Sequence, residues 1–169
     1  MGNVRIFCPG RSRSLFFNYK DYFSIVLLAM VDANYKFLMV DIGSYGKEGD
    51  NGILEKSNIG KLIKKNEFYP SPTKLPNTQI VLPYVIVGDG ALRLSTHMMK
   101  PFTRTDAHLD VKKAIFNYRL SRARKVSENA FGLLSQVFRI FYTPIALKPK
   151  VTDNLIMTTC IHNMLRDDF

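Results

Sequence analysis

Apolar residues fall along this chain in two kinds of pattern, and the contrast predicts its elements. Asn3 to Cys8 reads as a short strand closed by Pro9-Gly10, followed by a basic turn, Arg11-Ser12-Arg13-Ser14. Ser24 to Val31 carries no polar alternation, the pattern of a strand covered on both faces. Asp32-Ala33-Asn34 supplies turn residues and Tyr35 to Ile42 is strand-like again, so the two runs should form an antiparallel hairpin. Gly43 to Gly52 is a polar, glycine-rich loop, and Ile53 to Lys65 has helical spacing interrupted by Gly60. Pro70, Pro72 and Pro76 punctuate a connector to a buried strand from Tyr84 to Asp89. A short helix is expected around Leu92 to Met99, then a mixed-charge loop from Thr103 to Asp110.

The strongest helical period runs from Ala114 to Phe141, where Ala123, Val126, Ala130, Leu134, Val137 and Phe141 recur at steps of three and four. At about 100° per residue, Arg124, Glu128, Ser135 and Arg139 share the opposite, polar face. Val151 to Leu165 is a final helix carrying Cys160, His162 and Asn163. Three strands, a helix, a fourth strand and then helices describe an α/β chain, and an RNase H-like mixed sheet flanked by helices has this order.

Composition narrows the partners. A chain of 169 residues suits one domain, and 46% hydrophobic residues can fill a core. Lys plus Arg number 24 against 14 Asp plus Glu, a net charge of +10 that favours a polyanion such as nucleic acid over an anionic membrane surface. Cys8 and Cys160 cannot supply a disulfide framework, which points to a reducing compartment. The longest apolar run, Ile25 to Val31, is far short of the ~18 to 20 residues of a membrane-spanning helix. The first residues, Met1 to Ile6, lack the apolar stretch of a signal peptide, and Ile6 stands where a myristoylation signal has Ser or Thr.

Acids are scarce, so those at strand ends and in glycine-rich loops stand out: Asp32, Asp50, Asp89 and Glu128. Asp89, between Gly88 and Gly90 at the end of an apolar strand, can project into a cleft; the bland alternative is a cap on the next helix. Glu128 follows Arg124 by four residues, the spacing of a surface ion pair worth ~0.3 to 0.5 kcal/mol. Asp32 and Asp50 both have ordinary turn chemistry as their alternative. Carboxylates converging from separate elements are what phosphodiester chemistry on Mg²⁺ or Mn²⁺ needs, because these hard ions prefer oxygen ligands.

Other chemistries fit less well. Cys160-Ile161-His162 lacks the further ligands of a zinc site and reads as helix packing. No histidine pairs with Ser121 or Ser127 as a base, and no Gly-Lys-Ser or Gly-Lys-Thr ends the glycine-rich loop. Arg119, Arg122, Arg124, Lys125 and Arg139 cluster around Glu128 in the sequence, as expected of cations that draw phosphates towards a metal site.

Together these segments resemble the DDE superfamily endonucleases of PIF/Harbinger transposases and the Harbinger-derived nucleases retained by animal hosts. The matching motifs are Phe17-Asn18-Tyr19-Lys20, Val31-Asp32-Ala33-Asn34-Tyr35, Asp41-Ile42-Gly43-Ser44 through Asp50, and Val87-Gly88-Asp89. They continue with Asn117-Tyr118-Arg119-Leu120-Ser121-Arg122-Ala123-Arg124, Glu128-Asn129-Ala130-Phe131-Gly132 and His162-Asn163. The resemblance covers nearly the whole chain and implies that residues 1–169 are one DDE endonuclease domain, a hydrolase acting on DNA. It implies Asp89 as the second acid of the triad, Glu128 as the third and Asp50 as an assisting metal ligand; Asp32 is read as structural. It also implies Mg²⁺ or Mn²⁺ as cofactor, DNA as substrate, a separate Myb-like DNA-binding protein as partner, and the nucleus, with the cytoplasm as second compartment.

One departure bears on activity. The family's first acid precedes a segment similar to Val4-Arg5-Ile6, whereas this sequence has Met1-Gly2-Asn3 there, so the first strand is expected to be incomplete and the upstream helical region absent. Loss of one of three converging carboxylates should weaken metal binding and in-line attack. The alternative reading is a non-catalytic, domesticated DNA- or protein-binding module that keeps the fold and the basic face.

Overall fold

The computed structural model describes residues 2–10, 14–45, 49–66, 68–146 and 149–167, with the side chains of 149–153 and 167 outside the description. The elements are mixed α and β and group into two compact units, residues 1–54 with 126–169, and residues 55–125. The expected basic turn at 11–13 and part of the glycine-rich loop, 46–48, lie outside the described residues.

In the first unit, β1 (Gly2–Arg5), β2 (Ser24–Val31) and β3 (Phe37–Tyr45) form an antiparallel sheet in the order β1-β2-β3. Successive strand residues face opposite sides of a sheet. In β2 the consecutive residues Ile25, Val26, Leu27 and Leu28 are all buried, so both faces are covered, as the unbroken apolar run requires. The hairpin forms as expected. The Asp32 carboxylate accepts the amides of Asn34 and Lys36 at 2.8 and 2.9 Å, and Tyr35 takes a left-handed φ of 66° in the turn.

β3 extends into the expected loop because a bulge lets it. Opposite Val26 and Leu27 stand Ser44 and Ile42, which leaves Gly43 as the extra residue, with φ at 116°. Glycine reaches that conformation without a side-chain clash, and the ladder resumes beyond it.

The helices of this unit supply the other side of its core. Ala130 and Leu134 from α4 (Val111–Val137) and Leu155 from α5 (Pro149–Asp167) join Val4, Ile6, Ile25, Leu27, Phe37 and Ile145 in one buried cluster. The motif residue Asn18 is also buried. Its amide donates to the Ser24 hydroxyl at 2.8 Å and accepts the Lys20 amide at 2.8 Å, so this residue ties its turn to the start of β2. The long helix is shorter than its apolar period suggests. Phe138 leaves helical geometry (φ −104°, ψ 91°), and Arg139–Tyr142 is a separate 3-10 turn, so Arg139 does not continue the polar face of α4.

The predicted helix from Ile53 to Lys65 is two helices, α1 (Asp50–Lys56) and α2 (Asn58–Lys65). The break is at Ser57, whose hydroxyl accepts the Gly60 amide at 2.9 Å and caps the second helix. The second unit continues with a two-residue hairpin, β4 (Thr73–Lys74) with β5 (Val81–Leu82). β6 (Ile86–Val87) then pairs in parallel with β7 (Met98–Met99). β6 is much shorter than the expected strand and belongs to this small sheet. The expected helix from Leu92 to Met99 is replaced by turns and β7, with Ser95 and Met98 exchanging backbone hydrogen bonds. The mixed-charge segment is instead α3 (Arg104–Leu109), capped by Thr103.

Candidate functional site

Asp89 follows β6 directly. The strand is fixed by Ile86 N–H to His97 C=O and Gly88 N–H to Met99 C=O, both 2.8 Å. Gly88 is buried, and a Cβ there would lie 2.6 Å from Leu92 Cδ1 and 3.0 Å from Met98 Sδ, so a larger residue before the acid would have to displace these two side chains. The Asp89 carboxylate accepts the Ala91 amide at 2.9 Å, and its carbonyl accepts from Leu92 at 3.3 Å. The acid therefore holds a turn, not a helix, through one oxygen and is half-buried.

Glu128 projects from the middle of α4 and is exposed. Glu128 lines a groove of about 460 Å³ with Tyr35, Asn129, Gly132, Leu133, Gln136 and Arg166. The Arg166 guanidinium lies over the Tyr35 ring, 5.6 Å from its centroid, and its Nε is buried without a hydrogen-bond partner. Asp50 is the first residue of α1, where a carboxylate complements the helix dipole. Asp50 and Glu128 belong to the first unit and Asp89 to the second.

The basic residues divide by environment. Arg119, Arg122 and Lys125 are exposed on α4, Arg124 is half-buried, and Arg139 is exposed on the 3-10 turn. Arg122 is the best held of the exposed ones, with its guanidinium over the Tyr118 ring and 3.4 Å from the Tyr118 hydroxyl.

Two asparagines have roles the pattern alone does not disclose. Asn163 on α5 accepts the Phe37 amide at 2.8 Å and donates to the Phe37 carbonyl at 2.9 Å, so its side chain pairs with β3 like a strand residue. Its neighbour His162 is 2% exposed and places Nε2 3.0 Å from the Tyr35 carbonyl. Asn117 on α4 grips Phe102 in the same two-bond manner, at 2.9 and 3.0 Å. Both sit in motifs that the resemblance singled out; Arg166 has no such signal.

Mg²⁺ and Mn²⁺ prefer oxygen donors, and the three candidate acids have the right chemistry. Among the described residues, however, no three His, Cys, Asp or Glu side chains are grouped so as to hold a metal ion. Among them, too, no helix is long and apolar enough to cross a membrane.

Residues 3–163 match the family described as DDE superfamily endonuclease, and the chain belongs to that family. More particularly, it is 29% identical over 148 residues to a protein ALP1-like from Arabidopsis thaliana, an alignment covering 86% of this chain and 36% of the relative. The chain thus spans about a third of that relative's length. No solved structure matches it.

Proposed function

We propose that the chain is a DNA-cleaving domain of the PIF/Harbinger transposase-derived type, with residues 1–169 as one RNase H-like DDE domain. Asp89 and Glu128 carry the chemistry, Asp50 assists, and Mg²⁺ or Mn²⁺ is required. The observation that carries this reading is the family match over residues 3–163, within which Asp89 leaves a strand end behind the buried Gly88. Arg119, Arg122, Arg124, Lys125 and Arg139 contribute the DNA contacts. The nucleus, with the cytoplasm second, and a Myb-like DNA-binding partner belong to the same reading.

A second reading is a DNA- or protein-binding module without cleavage, for which the exposed cations of α4 suffice. Titration of the chain with Mn²⁺, followed by calorimetry, separates the two. Saturable binding that disappears in Asp89→Asn supports the nuclease, whereas salt-sensitive DNA binding with no Mn²⁺ uptake supports the module. For the nuclease, relaxation of supercoiled plasmid in Mn²⁺ should be lost in Glu128→Gln; nicking that survives this change rejects the assignment of Glu128.

A further inference from the structure

The part of α4 in the second unit bears a groove of about 400 Å³ lined by Lys112, Ile115, Phe116, Arg119, Leu120 and Ala123. These positions recur at steps of three, four and one, so they form one stripe along the helix. Leu120 is buried and Phe116 is half-buried, with its ring edge-on to Phe102 at 5.2 Å; together they make an apolar floor. Ile115 is 48% exposed and Ala123 is exposed, while Leu109 and Val111 nearby are 81% and 75% exposed. The groove thus sets an apolar floor between two cations.

The rim decides what fits. Lys112 and Arg119 stand two turns apart, and no acid lines the groove. A second copy of the chain would bring the same two cations against each other, with +10 on each copy. Arg119 is also one of the cations given to DNA above, but a phosphate backbone would leave the apolar floor uncovered, so a ligand that fills the groove competes with DNA at this one residue. An amphipathic helix with apolar residues on one face and carboxylates beside them satisfies both floor and cations. We propose that this groove is the docking site for an acidic amphipathic helix of a partner protein.

The test uses the full chain and a synthetic amphipathic peptide of about 18 residues, with Leu at a three-four repeat flanked by Glu. Methyl resonances of Ile115, Leu120 and Ala123 report on the groove. They should shift saturably with this peptide and not with one carrying Lys for each Glu. Affinity should fall about tenfold in Lys112→Glu with Arg119→Glu, and at least about tenfold in Ile115→Glu. Ala123→Glu, at another exposed position, should weaken binding similarly, and unchanged helical circular dichroism would establish that both single variants fold. The proposal is overturned if the Glu peptide gives no saturable shift, or if Ile115→Glu and Ala123→Glu, both folded, bind it as well as the parent. It is overturned equally if a mixed-sequence DNA duplex shifts these methyls and the peptide does not.

Discussion

In residues 1–54 and 126–169, the main buried cluster joins three strands, two helices and the bridged pair Ile6 and Ile145, segments distant in sequence. In residues 55–125, only Ile59, Met98 and Leu120 are buried apolar side chains among the described residues. Order there comes from local devices: the Ser57 cap, the Thr103 cap, the Asp89 turn and the Asn117 grip on Phe102. Each unit uses an asparagine to clasp the amide and carbonyl of a phenylalanine, yet Phe37 is buried and Phe102 is 44% exposed. The same pair of hydrogen bonds should matter more where water cannot replace it. The candidate acids follow this division, since Glu128 rides on a helix anchored by a packed core whereas Asp89 is held by a turn.

The largest effect expected from breaking this contrast is in the packed unit. Leu155→Ala should lower unfolding free energy by about 2–5 kcal/mol, measured by urea denaturation, because Leu155 is fully buried. Asn163→Ala should cost about 1–3 kcal/mol by leaving the Phe37 groups without their partner. Asn117→Ala, whose partner is exposed, should cost only about 0.5–1.5 kcal/mol; an equal or larger loss than at Asn163 would remove the distinction. Hydrogen exchange sharpens it further: amides of β2 should exchange far more slowly than those of β6 and β7.

The smallest effect is confined to alkaline pH. Burial raises the Tyr69 hydroxyl pKa above its ordinary 10.0. The folded state therefore holds this proton more tightly than the unfolded one. The contribution is fully present below pH 10.0 and is lost as pH rises through the folded-state value. Tyr69→Phe should flatten the stability profile above pH 10 and change it little at pH 7.

The hairpin was legible because Ser24 to Val31 needs two covered faces and Asp32 offers its own turn chemistry. Its full length was not, because the Gly43 bulge looks like a loop signal when read residue by residue. The α3 helix had a readable start: Thr103 accepts the Asp106 amide at 3.1 Å and donates to its carboxylate at 2.7 Å, a cap that net charge obscured. Leu92 to Met99 has helical composition, but the Asp89 carboxylate that could have capped it holds a turn at Ala91, and backbone pairing of Met98 and Met99 with β6 prevails. Among the site residues, Asp32 has the structural role its turn suggested, and Glu128 is on the expected helix. Arg139 was misplaced because apolar periodicity continues past the point where the backbone leaves the helix. Arg166 could not be anticipated, since its place in the Glu128 groove depends on the Tyr35 turn.

The Asn163 grip has a consequence for the chain's behaviour at high concentration. β3 lies at the margin of its sheet, where a strand can recruit a strand from another molecule through its open backbone groups. By occupying the amide and carbonyl of Phe37, the α5 side chain closes the start of that margin to strand addition. Asn163→Ala, which reopens those two groups, should therefore aggregate faster than an equally destabilised core variant when followed by light scattering.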